Sequence, residues 1–258
     1  MMRFHKMHGL GNDFVVIDAR ESAVAMDAAL ARSIAERRTG IGCDQVIVLE
    51  PSDVADVRMR IWNADGGEVE ACGNASRCVV LLEGKPITIE TKGGLLSGDA
   101  EGLDMGVPRF GWEEIPLAYA MDTDAMPVGW EELQGPMAVN VGNPHVVFFV
   151  GNADAVDLAR LGPLIEHDPL FPTRVNVNIA SLEGDAIRLN VWERGAGLTR
   201  ACGTGACATA VAAIRQHLVR SPVEVRLPGG TLTISWVPGG TVRMSGPAVH
   251  VFSGELAA

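Results

Sequence analysis

Ile61-Trp62-Asn63-Ala64-Asp65-Gly66-Gly67-Glu68-Val69-Glu70-Ala71-Cys72-Gly73-Asn74 is written again, without a gap, as Val191-Trp192-Glu193-Arg194-Gly195-Ala196-Gly197-Leu198-Thr199-Arg200-Ala201-Cys202-Gly203-Thr204. The two cysteines stand 130 residues apart (202 − 72), and Trp, Ala-Cys-Gly and one loop glycine coincide. Further pieces follow outward at similar spacing. Gly11-Asn12-Asp13-Phe14-Val15-Val16 meets Gly142-Asn143-Pro144-His145-Val146-Val147, and Gln45-Val46 meets Asn176-Val177, both at 131. Past the cysteines, Pro86-Ile87-Thr88-Ile89 meets Pro222-Val223-Glu224-Val225 at 136, and Gly93-Gly94 meets Gly229-Gly230 there too. Met105-Gly106-Val107-Pro108 then meets Met244-Ser245-Gly246-Pro247 at 139. One such pair is chance; an ordered series is a tandem duplication.

The local patterns agree. Short β-branched runs bounded by turn formers predict strands at 14–18, 45–49, 57–62 and 87–91, with counterparts at 146–150, 187–192, 223–227 and 231–236. Helical spacing of apolar residues appears over 27–38, and a helix is expected after each cysteine, 74 to about 82 and 204 to about 219. Residues 109–136 have no partner in the other copy and read as a crossover rich in Pro, Gly, Trp and acids. The expectation is an α+β fold of two pseudo-symmetric lobes, each a mixed or antiparallel sheet wrapped around a central helix, with the active site in the cleft between them. The N-terminal lobe would hold 1–108, with a strand from 248–258 returning to it. The C-terminal lobe would hold 109–247.

Composition narrows the function. With 258 residues, 47% hydrophobic and 21% charged, the chain suits a globular protein with a sizeable core. A formal net charge of −11 and only three lysines argue against nucleic acid, whose phosphates need clustered Lys and Arg. The N-terminus turns polar too early for a secretory signal, and no apolar run approaches the ~20 residues of a membrane span. Five cysteines are an odd number without disulfide-scaffold density, which suggests reduced thiols in the cytoplasm. No Cys-x-x-Cys occurs and the six histidines are scattered, so no metal site is expected. Cys43, Cys78 and Cys207 read as buried inert thiols.

Cys72 and Cys202 differ from these. Each sits at a strand-to-helix junction, ahead of the unsatisfied N–H groups of a helix start. That position is expected to lower a thiol's pKa from ~8.5 into a range of about 3.5–7.5 and to bind a carboxylate. The adjacent glycine lets a ligand approach the backbone. Two facing lobes would set two thiols across a cleft. One thiolate would take an α-proton while the other thiol returned a proton to the opposite face, inverting the centre. The helix N–H groups would meet the enediolate charge as it develops. A near-symmetric reaction suits a duplicated site.

At these residues the chain resembles the diaminopimelate epimerase family. The resemblance runs end to end: Met7-His8-Gly9-Leu10-Gly11-Asn12-Asp13-Phe14, Gly42-Cys43-Asp44-Gln45, Asn63-Ala64-Asp65-Gly66, Ala71-Cys72-Gly73-Asn74, Gly142-Asn143-Pro144-His145, Glu193-Arg194-Gly195-Ala196-Gly197, Ala201-Cys202-Gly203-Thr204-Gly205-Ala206 and Gly246-Pro247-Ala248-Val249. It implies conversion of LL-diaminopimelate to the meso form without PLP or metal, feeding lysine and cell-wall synthesis. It implies Cys72 and Cys202 as the acid/base pair, with the backbone at Gly73-Asn74 and Gly203-Thr204 cradling the reacting carboxylate. Glu193 would take the reacting ammonium. Asn12, Asn63, Asn143, Asn176 and Arg194 would read the distal end, with Gln45 nearby, while His145 is either a satisfied loop histidine or tunes a thiol. Such a polar set suits two carboxylates and two ammoniums, because Arg forks onto a carboxylate. The family pattern is departed from at Ala75, where glycine is common, and at Cys43, where an apolar residue is common. A homodimer is left open.

Three other readings compete with this one. Gly203-Thr204-Gly205-Ala206-Cys207-Ala208 fits G-x-G-x-x-A, with Glu224 further on, like a dinucleotide fingerprint. However, 194–201 is loop-like where that motif needs a strand. A proline or hydroxyproline racemase shares the two-thiol plan, but Glu193, Arg194 and the asparagines suit a larger substrate. A binding protein without activity would have no use for both thiols. Two thiols meeting at one carbon should also make the enzyme sensitive to oxidation, through a Cys72–Cys202 disulfide.

Overall fold

Period-two burial along short β-branched runs decides which side of each sheet meets which helix. The computed structural model describes residues 2–70 and 72–256. The chain forms two units: one ends at Leu103 and resumes at Gly246, and the other is Asp104–Ser245.

The first unit contains β1 (Met2–Gly9), β2 (Asn12–Asp18), α1 (Ala28–Ala35), β3 (Gln45–Glu50), β4 (Val57–Asn63), β5 (Glu68–Val69), α2 (Gly73–Glu83), β6 (Ile87–Thr91) and β7 (Gly94–Asp99), with β8 (Gly102–Asp104) at its end. β1–β2, β3–β4, β4–β5 and β6–β7 are antiparallel, while β2–β3 and β4–β6 are parallel. Leu10 (φ 57) and Gly11 (φ 84) turn β1 into β2 through the left-handed pair of a tight hairpin. Phe14, Val16, Ile47, Leu49 and Met59 pack on the α2 side with Ala75, Cys78 and Val79. Val15, Ile17, Val46 and Val48 face the other way, onto Ala31, Ile34 and Ala35 of α1. The sheet is therefore apolar on both faces.

The second unit contains β9 (Gly129–Trp130), β10 (Leu133–Gln134), β11 (Met137–Asn140), β12 (Pro144–Phe149), α3 (Leu158–Glu166), β13 (Asn176–Glu183), β14 (Ala186–Glu193), β15 (Gly197–Thr199), α4 (Gly203–Arg215), β16 (Val223–Leu227), β17 (Gly230–Ser235) and β18 (Arg243–Ser245). Its pairings repeat those of the first: β11–β12, β13–β14, β14–β15 and β16–β17 antiparallel, β12–β13 and β14–β16 parallel. The registers repeat too. Phe14 opposes Gln45 as His145 opposes Asn176, and Val46 opposes Trp62 as Val177 opposes Trp192. The two units have one topology. The last strand, β19 (Val249–Leu256), pairs antiparallel with β1 in the first.

Three sequence expectations change. α1 is shorter than 27–38, because Asp27 is its cap, accepting from the Ala29 and Leu30 N–H groups, and Glu36 turns extended. α4 stops at Arg215, not near 219, since His217 adopts a left-handed φ of 59. Residues 109–136 are more than a crossover: Ile115, Leu117, Met126 and Leu133 lie in the second unit's core, beside Trp112 and Trp130. Their apolar residues follow no helical or strand period, which hid this role. At Gly162 a Cβ would come within 2.5 Å of the Trp192 ring, so only glycine lets α3 close on that indole.

None of the five cysteines forms a disulfide among the described residues. Burial pushes the Cys43 thiol up to about 11 and the Cys78 thiol up to about 12. Both are neutral when folded, whereas the unfolded chain releases these protons near its ordinary value of ~8.5. Their stabilising share is complete below that value and disappears as pH climbs towards 11–12. Urea unfolding at pH 8 and pH 10.5 should show a loss of order 1 kcal/mol or more per thiol. A Cys43→Ala/Cys78→Ala protein should show a correspondingly flatter pH dependence; an equal slope would contradict this account.

Candidate active site

Each cysteine is the N-cap of a helix, in extended backbone just before the first helical turn. Cys72 (φ −148, ψ 108) precedes α2 and Cys202 (φ −121, ψ 110) precedes α4, so Gly73 and Gly203 begin the helices. The N-terminus of a helix, with its positive dipole end, lies beside each sulfur and favours an anion there.

In the first unit the half-buried Cys72 thiol donates to Asn12 Oδ1 at 3.8 Å, and Asn74 Nδ2 donates to the same oxygen at 3.2 Å. Asn12 Nδ2 donates to Asp44 Oδ2 at 3.1 Å. Asp44 also receives Arg37 at 2.7 Å, and Arg37 and Lys6 both bind Asp13. Burial works against the Asp13 charge, but Arg37 and Lys6 outweigh it and hold the carboxyl well below its usual range. This ion network fixes Asn12 with its oxygen towards Cys72. Gln45 and Asn63 pair across β3 and β4, Nε2 to Oδ1 at 2.9 Å, and Gln45 Oε1 is buried without a partner among the described residues. Such an acceptor is what a ligand donor would use.

In the second unit Cys202 is buried, with a relative exposure of 4%. Its sulfur accepts from the Gly205 N–H at 3.3 Å and lies 3.6 Å from Thr204 Oγ1. Glu193, at the end of β14, accepts from the Thr199 hydroxyl, and its carboxylate acts electrostatically on the Cys202 thiol. The expectation that a helix start lowers the thiol pKa fails at Cys202. Burial, then the Glu193 charge, raise it well above the ordinary thiol value, against the donors from Thr204 and Gly205. Cys202 rests as the neutral thiol. Burial also raises Glu193, against the hydrogen bond from Thr199.

Asn176 accepts from the Arg194 N–H at 2.9 Å and donates to Pro144 O at 2.8 Å, anchoring the turn that carries Arg194. The Arg194 guanidinium donates to Thr173 O at 3.1 Å. Buried Glu166 accepts from the Trp192 indole at 2.7 Å and the Gly195 N–H at 2.9 Å, holding the same turn. His145 is wholly buried between Asn143 and Asn178. Burial lowers it to about 3, and the Arg194 charge adds to that. It is a neutral imidazole and sits in strand β12 rather than a loop.

The structure thus groups Cys72 with Asn12 and Asn74, Gln45 with Asn63, Cys202 with Glu193 and Thr204, and Asn143 with His145. Sequence reading missed Asp44, Thr199, Glu166 and Asn178. Only Asn178 left a signal, two residues from Asn176 on one strand and so on the same face.

A family model described as "Diaminopimelate epimerase" matches residues 4–108 and 137–251. A protein named diaminopimelate epimerase from Rhizorhabdus wittichii is 68% identical, covering 98% of this chain and 95% of its own length. One of the same name from Zymomonas mobilis is 58% identical, covering 98% and 96%. Among solved structures, a PhzF-family phenazine biosynthesis protein from Bacillus anthracis matches with a TM-score of 0.68 at 16% identity, over 100% of this chain and 99% of that one. A probable proline racemase from Agrobacterium radiobacter gives 0.66 at 18%, over 100% and 93%. At those identities the two structures speak for the fold alone.

Proposed function

The chain belongs to the diaminopimelate epimerase family, and on that premise we propose that Cys72 and Cys202 are the acid–base pair that interconverts LL- and meso-diaminopimelate. The enzyme is an amino-acid isomerase, and its reaction belongs to lysine biosynthesis. The observation that carries the residue assignment is the repeated one: each unit caps one helix with a cysteine and sets polar side chains at that sulfur, Asn12 in the first, Thr204 and the Glu193 charge in the second.

In the proposed reaction the substrate's α-carboxylate lies against the helix starts at Gly73-Asn74 and Gly203-Thr204. One sulfur, as thiolate, breaks the α C–H bond and becomes S–H. The opposite S–H breaks and forms the new C–H bond, so one proton leaves and one arrives. The electron pair released at the carbon passes into the carboxylate, where the N–H groups meet the growing charge. The product regains a thiol and a thiolate in exchanged positions. Glu193 meets the reacting ammonium and sets the protonation of Cys202. Asn12, Gln45, Asn63, Asn143, Asn176 and Arg194 form the polar surround of the distal amino-acid end. His145, being neutral, acts through its hydrogen bonds rather than its charge. The matched units fit a duplicated gene, and meso-diaminopimelate also serves as a cell-wall precursor.

Wild-type enzyme should convert LL-diaminopimelate to the meso isomer and exchange its α-hydrogen in D₂O, with proline inert. Proline turnover would favour the racemase alternative, and binding without exchange would reduce the chain to a binder.

No helix among the described residues is long and apolar enough to cross a membrane. We assign the enzyme to the cytoplasm, where a two-thiol site stays reduced. We also propose a homodimer through β19, where the side chains of Val251 (53% exposed) and Phe252 (47%) offer apolar surface. Light scattering should give twice the 27.3 kDa chain mass, and the chain mass itself for Phe252→Asp. A monomeric wild type would contradict this.

A further inference from the structure

From β2 and β3 the first unit turns Phe14 and Ile47 towards α2, inside an apolar core. The residues 131 positions on, in the matched strands β12 and β13, are His145 and Asn178, both fully buried. The topology works with apolar side chains at these places, and burying an imidazole and an amide costs free energy unless they are hydrogen-bonded. The polar pair is therefore an addition that the fold does not require.

Its geometry permits one arrangement. Asn178 Nδ2 lies 3.0 Å from Val146 O and 3.4 Å from Asn176 O. Backbone carbonyls only accept, so this atom is the amide nitrogen. The same nitrogen lies 3.1 Å from His145 Nδ1, which must then be the acceptor. A neutral imidazole with an accepting Nδ1 carries its proton on Nε2. That N–H points at Asn143 Oδ1, 2.8 Å away, so the oxygen of Asn143 is taken up and its NH₂ is left to donate. The equivalent Asn12 is held the other way: its NH₂ goes to Asp44 and its oxygen faces Cys72.

We propose that Asn178 is a positioning residue for specificity, fixing His145 as the Nε2–H tautomer and thereby presenting the Asn143 NH₂ as a donor to a substrate carboxylate oxygen that offers nothing to an ammonium. This rests on the reading of Asn143 as a substrate contact. Buried Asn178 Oδ1 has no partner among the described residues, so the residue's hydrogen bonding is spent through its nitrogen.

Long-range ¹H–¹⁵N spectra of the histidine rings test the tautomer directly in the wild-type enzyme, with six histidines to resolve and His145 assigned by its loss in His145→Gln. The expected signature is a protonated Nε2 and a bare Nδ1, unchanged from pH 5 to 9. An Nδ1–H tautomer or an imidazolium at neutral pH overturns the proposal and leaves the epimerase reading intact. Asn178→Ala should mix the tautomers and raise KM for LL-diaminopimelate about tenfold or more, the loss of one hydrogen bond to a charged group, with a smaller change in kcat. Scrambled tautomers with an unchanged KM would also overturn it. Asn143→Ala with an unchanged KM would instead remove Asn143 from the substrate surround. Should Asn178→Ala fail to fold, the wild-type spectrum still decides.

Discussion

Cys72→Ser and Cys202→Ser each lose epimerase turnover by about 10²–10⁴-fold, the span of one general acid–base group. Serine keeps the size and the cap position but its hydroxyl neither ionises nor donates at neutral pH as a thiol does. Circular dichroism and melting of both variants should stay close to wild type, which separates lost chemistry from lost fold. The larger structural disturbance is expected at Cys202, because that side chain is buried and receives the Gly205 N–H. Cys43, Cys78 and Cys207 serve as controls, since all three are buried. Their alanine variants should lose stability and keep turnover. A Cys72→Ser or Cys202→Ser protein with wild-type kcat would remove that sulfur from the reaction.

Glu193→Gln should cost about 10²-fold in turnover and move the titration of Cys202 to lower pH. The sign follows from the contacts. Burial and the Glu193 carboxylate both disfavour a thiolate at Cys202, and both raise its pKa. An amide at 193 removes the like charge. The thiolate then forms at lower pH, while burial still holds it above the exposed value. In the direction where Cys202 donates the proton, the falling limb of the pH–rate profile shifts to lower pH by the same interval. Alkylation of Cys202 against pH, read on the tryptic peptide 201–215 with fragmentation to separate Cys207, checks the shift without substrate. A titration that stays put or moves up would mean that Glu193 does not govern this thiol.

Much of this was legible in the chain because duplication writes topology into sequence. A match such as Gly11-Asn12 with Gly142-Asn143 forecasts the same hairpin and the same parallel neighbour, and the registers of Phe14 with Gln45 and His145 with Asn176 agree. The cysteines were legible for a related reason: a strand, Ala-Cys-Gly and a helix fix a sulfur at a helix start whatever surrounds it. What surrounds it was hidden. Depth in the core cannot be read from a motif, and at Cys202 burial defeats the helix-start effect. Asp44 acts on Asn12 from the head of another strand, and Asn178 acts on Asn143 through the tautomer of His145. Such relations depend on three-dimensional register and leave no spacing to detect. The core contacts of segment 109–136 are hidden in the chain because it has no repeat to compare with and reaches the core through scattered residues.

The origin of the hydrogen in the product tests the two-sulfur inversion most directly. In D₂O, LL-diaminopimelate taken to a few per cent conversion should give meso product carrying solvent deuterium at the inverted carbon, with recovered starting material unlabelled. Product that keeps its original hydrogen at that carbon, or substrate labelled as fast as product forms, would point to a single base serving both faces.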